Sequence, residues 1–323
     1  MNTNHKLHVA SNPHWKSGNS IVRQQHQWII ALLPIISASL YRYGADALNV
    51  LCLCLFTSVL FDAGTNLIIK SKDNTSNWTS VPMAILLAVL LPVGTPWWMV
   101  VIGSGLMIIL GKKLFGGIGA YPVHPVLLSY AMLQISWPAT FKHTGAVLAY
   151  DWNISMVSPL QMIKTLGASA ETIFSWQDML LGNQVAGLGN GLVLFVLIGG
   201  ILLLLMRTIT WHIPVAFIIG VVCMGGLLRL VDPQCTATPI FHLLSASTLL
   251  GAFFLAPEPT TSPVNSLPMI MYGLLGGALL VLIRTFSIHL DGIAFTILLI
   301  NMVYPLLDRI TPAVRGLEVA DHA

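Results

Sequence analysis

The sequence predicts an all-α integral membrane protein with about ten transmembrane helices in two inverted five-helix repeats. Three observations lead there. Of 323 residues, 55% are hydrophobic and only 8% charged, against about 25% charged in ordinary soluble domains. So few charges cannot cover the surface of a globule of this size, so most of the surface must face lipid. The apolar residues fall into ten segments, and the cations between those segments are unevenly distributed.

The segments are Gln27–Leu40, Leu48–Ile68, Val81–Leu91, Trp97–Leu110, His124–Trp137, Leu192–Met206, Val215–Leu230, Phe241–Leu255, Met269–Ile283 and Gly292–Leu307. A lipid-exposed span needs about 20 apolar residues, and several of these are shorter. The third, fifth and tenth are also interrupted or bounded by Pro and Gly. That fits helices packed inside a bundle, where neighbours satisfy freed backbone groups. The polar tail before Gln27 has no cleavable-signal pattern, so the first span is expected to remain as an anchor.

With the N-terminus in the cytoplasm, the inner side holds Lys6, Lys16, Arg23, Lys70, Lys72, Lys112, Lys113, Arg207, Arg309 and Arg315. The outer side holds Arg42, Lys142, Lys164, Arg229 and Arg284. This excess satisfies the positive-inside rule and places both termini in the cytoplasm. The chain then divides into a tail (1–26), a first repeat (27–137), an external loop (138–191), a second repeat (192–308) and a tail (309–323). Five spans, a long loop and five more spans produce halves of opposite orientation, a plan common to transporters and channels.

The partner implied by composition is the lipid bilayer, not nucleic acid, because a net charge of +3 without a Lys/Arg run leaves no phosphate footprint. Cys52 and Cys54 lie about 200° apart around a helix and cannot chelate one metal. Cys223 and Cys235 show no ligand spacing, so no metal site is expected. Gly116-Gly117-Ile118-Gly119 joins two spans and reads as a tight turn. Asp62, inside the second span, either faces a cavity or pairs with Lys70 or Lys72. Arg229 with Asp232, and Arg284 with Asp291, read as external helix-end charges. Trp97, Trp98, Trp137 and Trp211 sit at span ends as interfacial anchors. No Rossmann glycine pattern appears, so NADH is not expected to bind.

Three stretches carry a family likeness. One runs from Trp97-Trp98 through Gly111-Lys112-Lys113-Leu114-Phe115-Gly116-Gly117-Ile118-Gly119 to Tyr121-Pro122-Val123-His124-Pro125 and Ile135-Ser136-Trp137-Pro138. The second is Phe253-Phe254-Leu255-Ala256-Pro257-Glu258-Pro259-Thr260-Thr261-Ser262-Pro263. The third is Asp291-Gly292-Ile293-Ala294-Phe295, with Pro305-Leu306-Leu307-Asp308-Arg309. In order and separation they resemble the NqrB/RnfD family. Its members are the D-type membrane subunit of the Rnf electron-transport complex and the related B-type subunit of the sodium-translocating NADH:quinone reductase.

The resemblance implies a redox subunit that relays electrons across the membrane between partner subunits, membrane-bound and redox-active, with coupled ion movement. It implies FMN joined through its phosphate to a hydroxyl in the external loop, and a second, non-covalent flavin such as riboflavin among the helices. The stretch matching the family's Ser-Gly-Ala-Thr-Pro-Leu motif is Ser155-Met156-Val157-Ser158-Pro159-Leu160. Ser158 takes the acceptor position, flanked by Ser155 and Pro159, while Met156 and Val157 replace two small residues that allow close backbone approach. His124 stands where the family has Asn near the internal flavin, and Glu258 stands where it has Asp. His124 reads either as a flavin or proton ligand or as a histidine satisfied by backbone carbonyls. The alternative reading is a cofactor-free protein on the same scaffold, either a small-solute conduit or a structural subunit. The altered motif and His124 favour it; the surviving hydroxyl and the intact glycine and Thr-Pro turns favour electron transfer.

Overall fold

The computed structural model describes residues 20–69, 76–141, 158–234 and 236–310, which are helical with no strand among them. All ten predicted segments correspond to helices. They are α1 (Ile21–Tyr43), α2 (Ala45–Ile69), α3 (Ser76–Leu90), α4 (Trp97–Gly105) running on as a π-helix (Leu106–Lys113), and α5 (Pro125–Ser136). After the loop helices α6 (Pro159–Leu166) and α7 (Trp176–Leu181) come α8 (Val193–Leu205), α9 (His212–Val231), α10 (Pro239–Leu244), α11 (Thr248–Leu250) with a π-helical turn (Gly251–Leu255), α12 (Ser266–Phe286) and α13 (Ile293–Leu307). Among the described residues α2, α9 and α12 are each long and apolar enough to cross a bilayer, and the rest are shorter.

The short helices are the interior ones. From Met83 to Leu91 every residue of α3 and its end is buried, so α3 needs no lipid-matching length. Around it pack α1, α2 and α5, while α4 packs on α2 and α5. The two halves meet where α1 lies on α8 and α5 on α13. The predicted turn at 116–119 is present, with φ of 106°, 97° and 88° at Gly116, Gly117 and Gly119, a region that side chains with a Cβ enter at a cost. Cys52 is exposed and Cys54 buried, as their angular separation requires.

The eighth segment differs from its reading as one span. Phe241–Leu255 is broken at Ser245–Ser247, with Ala246 at φ 46°. The chain from Gln184 to Gly191, at the end of the predicted external loop, is buried against the bundle. There Leu188 N–H donates to Leu91 O (2.8 Å) and Gly189 N–H to Val89 O (3.0 Å). The Gln184 amide joins the two irregular segments, donating to Leu244 O (2.9 Å) and accepting from Ala246 N–H (3.2 Å). Non-helical backbone at this depth survives because protein groups replace the missing water.

The most extensive helix contact, α9 with α12, is set by small residues. A Cβ on Gly277 would lie 2.6 Å from the Val221 nitrogen, and one on Gly220 would lie 3.1 Å from Gly277 Cα. Backbones this close gain dispersion contacts that Leu in lipid does not supply. Gly277→Ala is expected to destabilise by about 1–3 kcal/mol, as overpacked cores do. Gly64→Ala, whose Cβ would meet nothing within 4 Å, is expected to be neutral. Thermal midpoints of both variants in detergent check this.

Candidate functional site

Ser158 is the N-cap of α6: its Oγ accepts from Gln161 N–H at 3.1 Å, and Pro159, buried, occupies the first helical position. Ser, then Pro, then an apolar run is a helix start by local chemistry alone. Ser155, Met156 and Val157 lie outside the described residues. Beyond Ser158, α6 borders a cavity of about 1140 Å³ lined by Ile163, Lys164, Gln234, His242, Arg284 and Ser287 among others. Organic ligands typically occupy about 300–1,000 Å³, so the space suits one. Lys164 Nζ donates to Ser287 O and His289 O, joining α6 to the turn after α12. Partial burial holds Lys164 below the usual lysine range, and burial, then the nearby Lys164 charge, holds His289 below the usual histidine range.

Ser158 itself is buried. A phosphoester there replaces only the hydroxyl proton, leaving the oxygen as acceptor, and sets phosphate charge at the positive end of α6. The residues present therefore fit a flavin phosphate at this position.

His124 lies elsewhere, at the N-cap of α5 with Pro125 following. It faces the turn after the second π-helix. Tyr121 Oη donates to Glu258 Oε1, Thr261 Oγ1 donates to Glu258 Oε2 (3.2 Å), and Thr260 Oγ1 donates to Tyr121 Oη (3.1 Å). With its amide oriented to satisfy its neighbours, Asn301 of α13 accepts from His124 N–H (3.1 Å) and donates to Thr261 O (3.2 Å). Thus α5, α13 and the 256–262 turn are locked together. The adjoining cavity, lined by Gln24, Gln25, Trp28, Thr79, Tyr121, His124, Phe254 and Glu258 among others, holds about 90 Å³. That is well below the space a flavin ring needs, and suits a few waters.

Two buried charge clusters depart from expectation. Asp62 is fully buried and accepts from Lys112 Nζ (2.9 Å) and Ser80 Oγ (2.7 Å), with Lys113 Nζ at 2.9 Å from its other oxygen. Lys70 and Lys72 lie outside the described residues; the partners found come from the π-helix 50 residues on. Arg284 and Asp291 are not external helix-end charges but a buried pair at 2.6 Å. Arg284 also donates to His242 O (2.9 Å), Thr248 Oγ1 (2.7 Å), Ser245 O (3.3 Å) and Asp291 O (2.9 Å), filling the α10–α11 break. Arg229, in the last turn of α9, pairs with Glu171 at 3.2 Å. Sequence reading missed Tyr121 as a partner of Glu258, although Tyr121 and Thr260 stand in the two motifs that carry the family likeness. It also missed Lys112 and Lys113, whose adjacency to an apolar span was the available signal.

Comparison with known proteins gives a consistent result. The model of the NQR2, RnfD, RnfE family matches residues 8–316. The D-type subunit of an ion-translocating oxidoreductase complex of Vibrio cholerae is 33% identical over 337 residues, covering 94% of this chain and 97% of that protein. The protein of the same name from Yersinia pseudotuberculosis is 32% identical over 350 residues (96% and 98%). The D-type subunit of the Na(+)-translocating ferredoxin:NAD(+) oxidoreductase complex of Acetobacterium woodii is 32% identical over 309 residues (94% and 93%). With its bundle, its glycine turn and its Thr-Pro turn all in place and the match running almost end to end, this multi-pass membrane chain belongs to the NQR2, RnfD, RnfE family.

Proposed function

We propose that this chain is a membrane subunit of an ion-translocating electron-transport complex, and that it carries electrons through an FMN esterified to Ser158. Two relatives are named subunits of ion-translocating and Na(+)-translocating oxidoreductase complexes, so the partners are the other membrane and redox subunits of such an assembly. The observation that carries the flavin is Ser158 Oγ at the N-cap of α6, the helix whose Leu160, Ile163 and Lys164 line a cavity of about 1140 Å³. When bound, FMN supplies one- and two-electron redox chemistry. The chain's own residues hold and orient it: the α6 N-terminus faces the phosphate, Pro159 stiffens the attachment point, and Ile163 with Lys164 walls the cavity. Turnover belongs to the assembled complex.

The test is protein from its native host, or co-expressed with a flavin transferase, run on a denaturing gel. A fluorescent band, with the adduct mapped by mass spectrometry to the Ser158 peptide and absent in Ser158→Ala, is expected. A dark wild-type band, from a host shown to flavinylate another protein, sinks the covalent centre and leaves the structural or solute-conduit reading.

A further inference from the structure

His124 is 1% exposed, and neither ring nitrogen has a hydrogen-bond partner. Buried polar groups are nearly always paired, and among the described residues no side chain or neighbouring carbonyl makes a hydrogen bond of good geometry to this ring. Its Nε2 is 4.0 Å from Glu258 Oε2. The same cavity that touches both side chains extends to Ile21, Gln24 and Gln25 at the start of α1, where Ile21 is exposed. One cavity therefore connects the start of α1 with the His124 ring and the Glu258 carboxylate that it faces.

We propose that His124 and Glu258 form a proton-binding site, which takes up one proton from water in this cavity and holds it on His124 Nε2 against the Glu258 carboxylate. The balance is simple. A proton leaves a water-borne donor, the new bond is Nε2–H, and the pair passes from a net charge of −1 to zero. In a poorly solvated site, neutralising a lone carboxylate is favourable, and the ion pair so formed needs only a slight approach across 4.0 Å. Among the described residues, every other group facing the pair is neutral: Tyr121 and Thr261 donate to Glu258, Thr260 donates to Tyr121, and Tyr272 lies behind with Asn301. Both Glu258 oxygens already accept a hydroxyl, from Tyr121 and from Thr261. The incoming proton therefore goes to the unpartnered ring. The pair titrates as a unit.

This site connects α5 of the first half with the turn before α12 of the second, so its charge state sets the attraction across the contact between the halves. The site does not depend on a flavin, and its test reads protons whether or not Ser158 is modified.

The experiment is pH-titrated infrared difference spectroscopy on the intact membrane complex, for wild type, His124→Asn, His124→Gln and Glu258→Gln. The expected result is one step in which imidazolium bands rise, with a shift in a buried carboxylate band at the same midpoint. Both changes vanish in each His124 variant, and the imidazolium midpoint falls by at least one pH unit in Glu258→Gln. Wild-type spectra that superimpose on those of His124→Asn from pH 4 to 9 overturn the proposal, even if that variant melts earlier. An imidazolium step unmoved by Glu258→Gln overturns the pairing. Should Glu258→Gln fail to fold, the two His124 variants decide alone.

Discussion

Arg284→Met is expected to be the most damaging single change in the second half, lowering stability by about 3–5 kcal/mol. The guanidinium spends its donors on five acceptors: the side chain and carbonyl of Asp291, the carbonyls of His242 and Ser245, and Thr248 Oγ1. Three of these acceptors lie at the break between α10 and α11, where carbonyls lack helical partners. Removing Arg284 takes a donor from each: His242 O and Ser245 O keep Thr248 Oγ1, and the buried Asp291 carboxylate keeps Ser247 Oγ but loses its cation. Arg284→Lys is expected to recover little, because a point charge cannot span the fork-shaped set of acceptors. Thermal midpoints and extraction yields from membranes check the order wild type, Lys, Met. A methionine variant as stable as wild type would show that the break is held by other contacts, such as the Gln184 amide.

The second large effect is at Asp62. Asp62→Asn keeps the volume but leaves two lysines, one fully buried and one nearly so, facing a neutral amide. Breaking a buried pair by removing one partner costs on the order of 3–5 kcal/mol, whereas removing both is often close to neutral. The expected outcome is a sharp loss of thermal stability in Asp62→Asn and a substantial recovery in the Asp62→Asn, Lys112→Met double variant. Lys113, which also donates to Asn66, retains a partner there. If the double variant is no more stable than the single one, the network acts as three independent contacts and the coupling argument fails.

These two clusters mark the boundary between what was legible in the chain and what was not. The spans were legible because apolar length and breaker residues are local properties. So was the start of α6: Ser158-Pro159 before Leu160 encodes a cap by its own chemistry, whatever surrounds it. The Gly116–Gly119 turn followed from the conformations that glycine alone enters freely. His124 and Glu258 could each be singled out from the motifs that carry them, but 134 positions separate them and nothing periodic links them.

The sequence by itself determined an all-α membrane protein, the positions of its apolar helices, its family, and the hydroxyl available at Ser158. Only the tertiary structure decided which charges meet. It paired Asp62 with Lys112 and Lys113, about 50 residues on, and it drew Arg284 and Asp291 inward from assumed helix ends. It also folded 184–191 back into the bundle and left the ring of His124 alone beside a carboxylate. The physical reason is that hydrophobic periodicity is written residue by residue, whereas the partner of a buried polar group is whichever donor or acceptor packing delivers within about 3 Å.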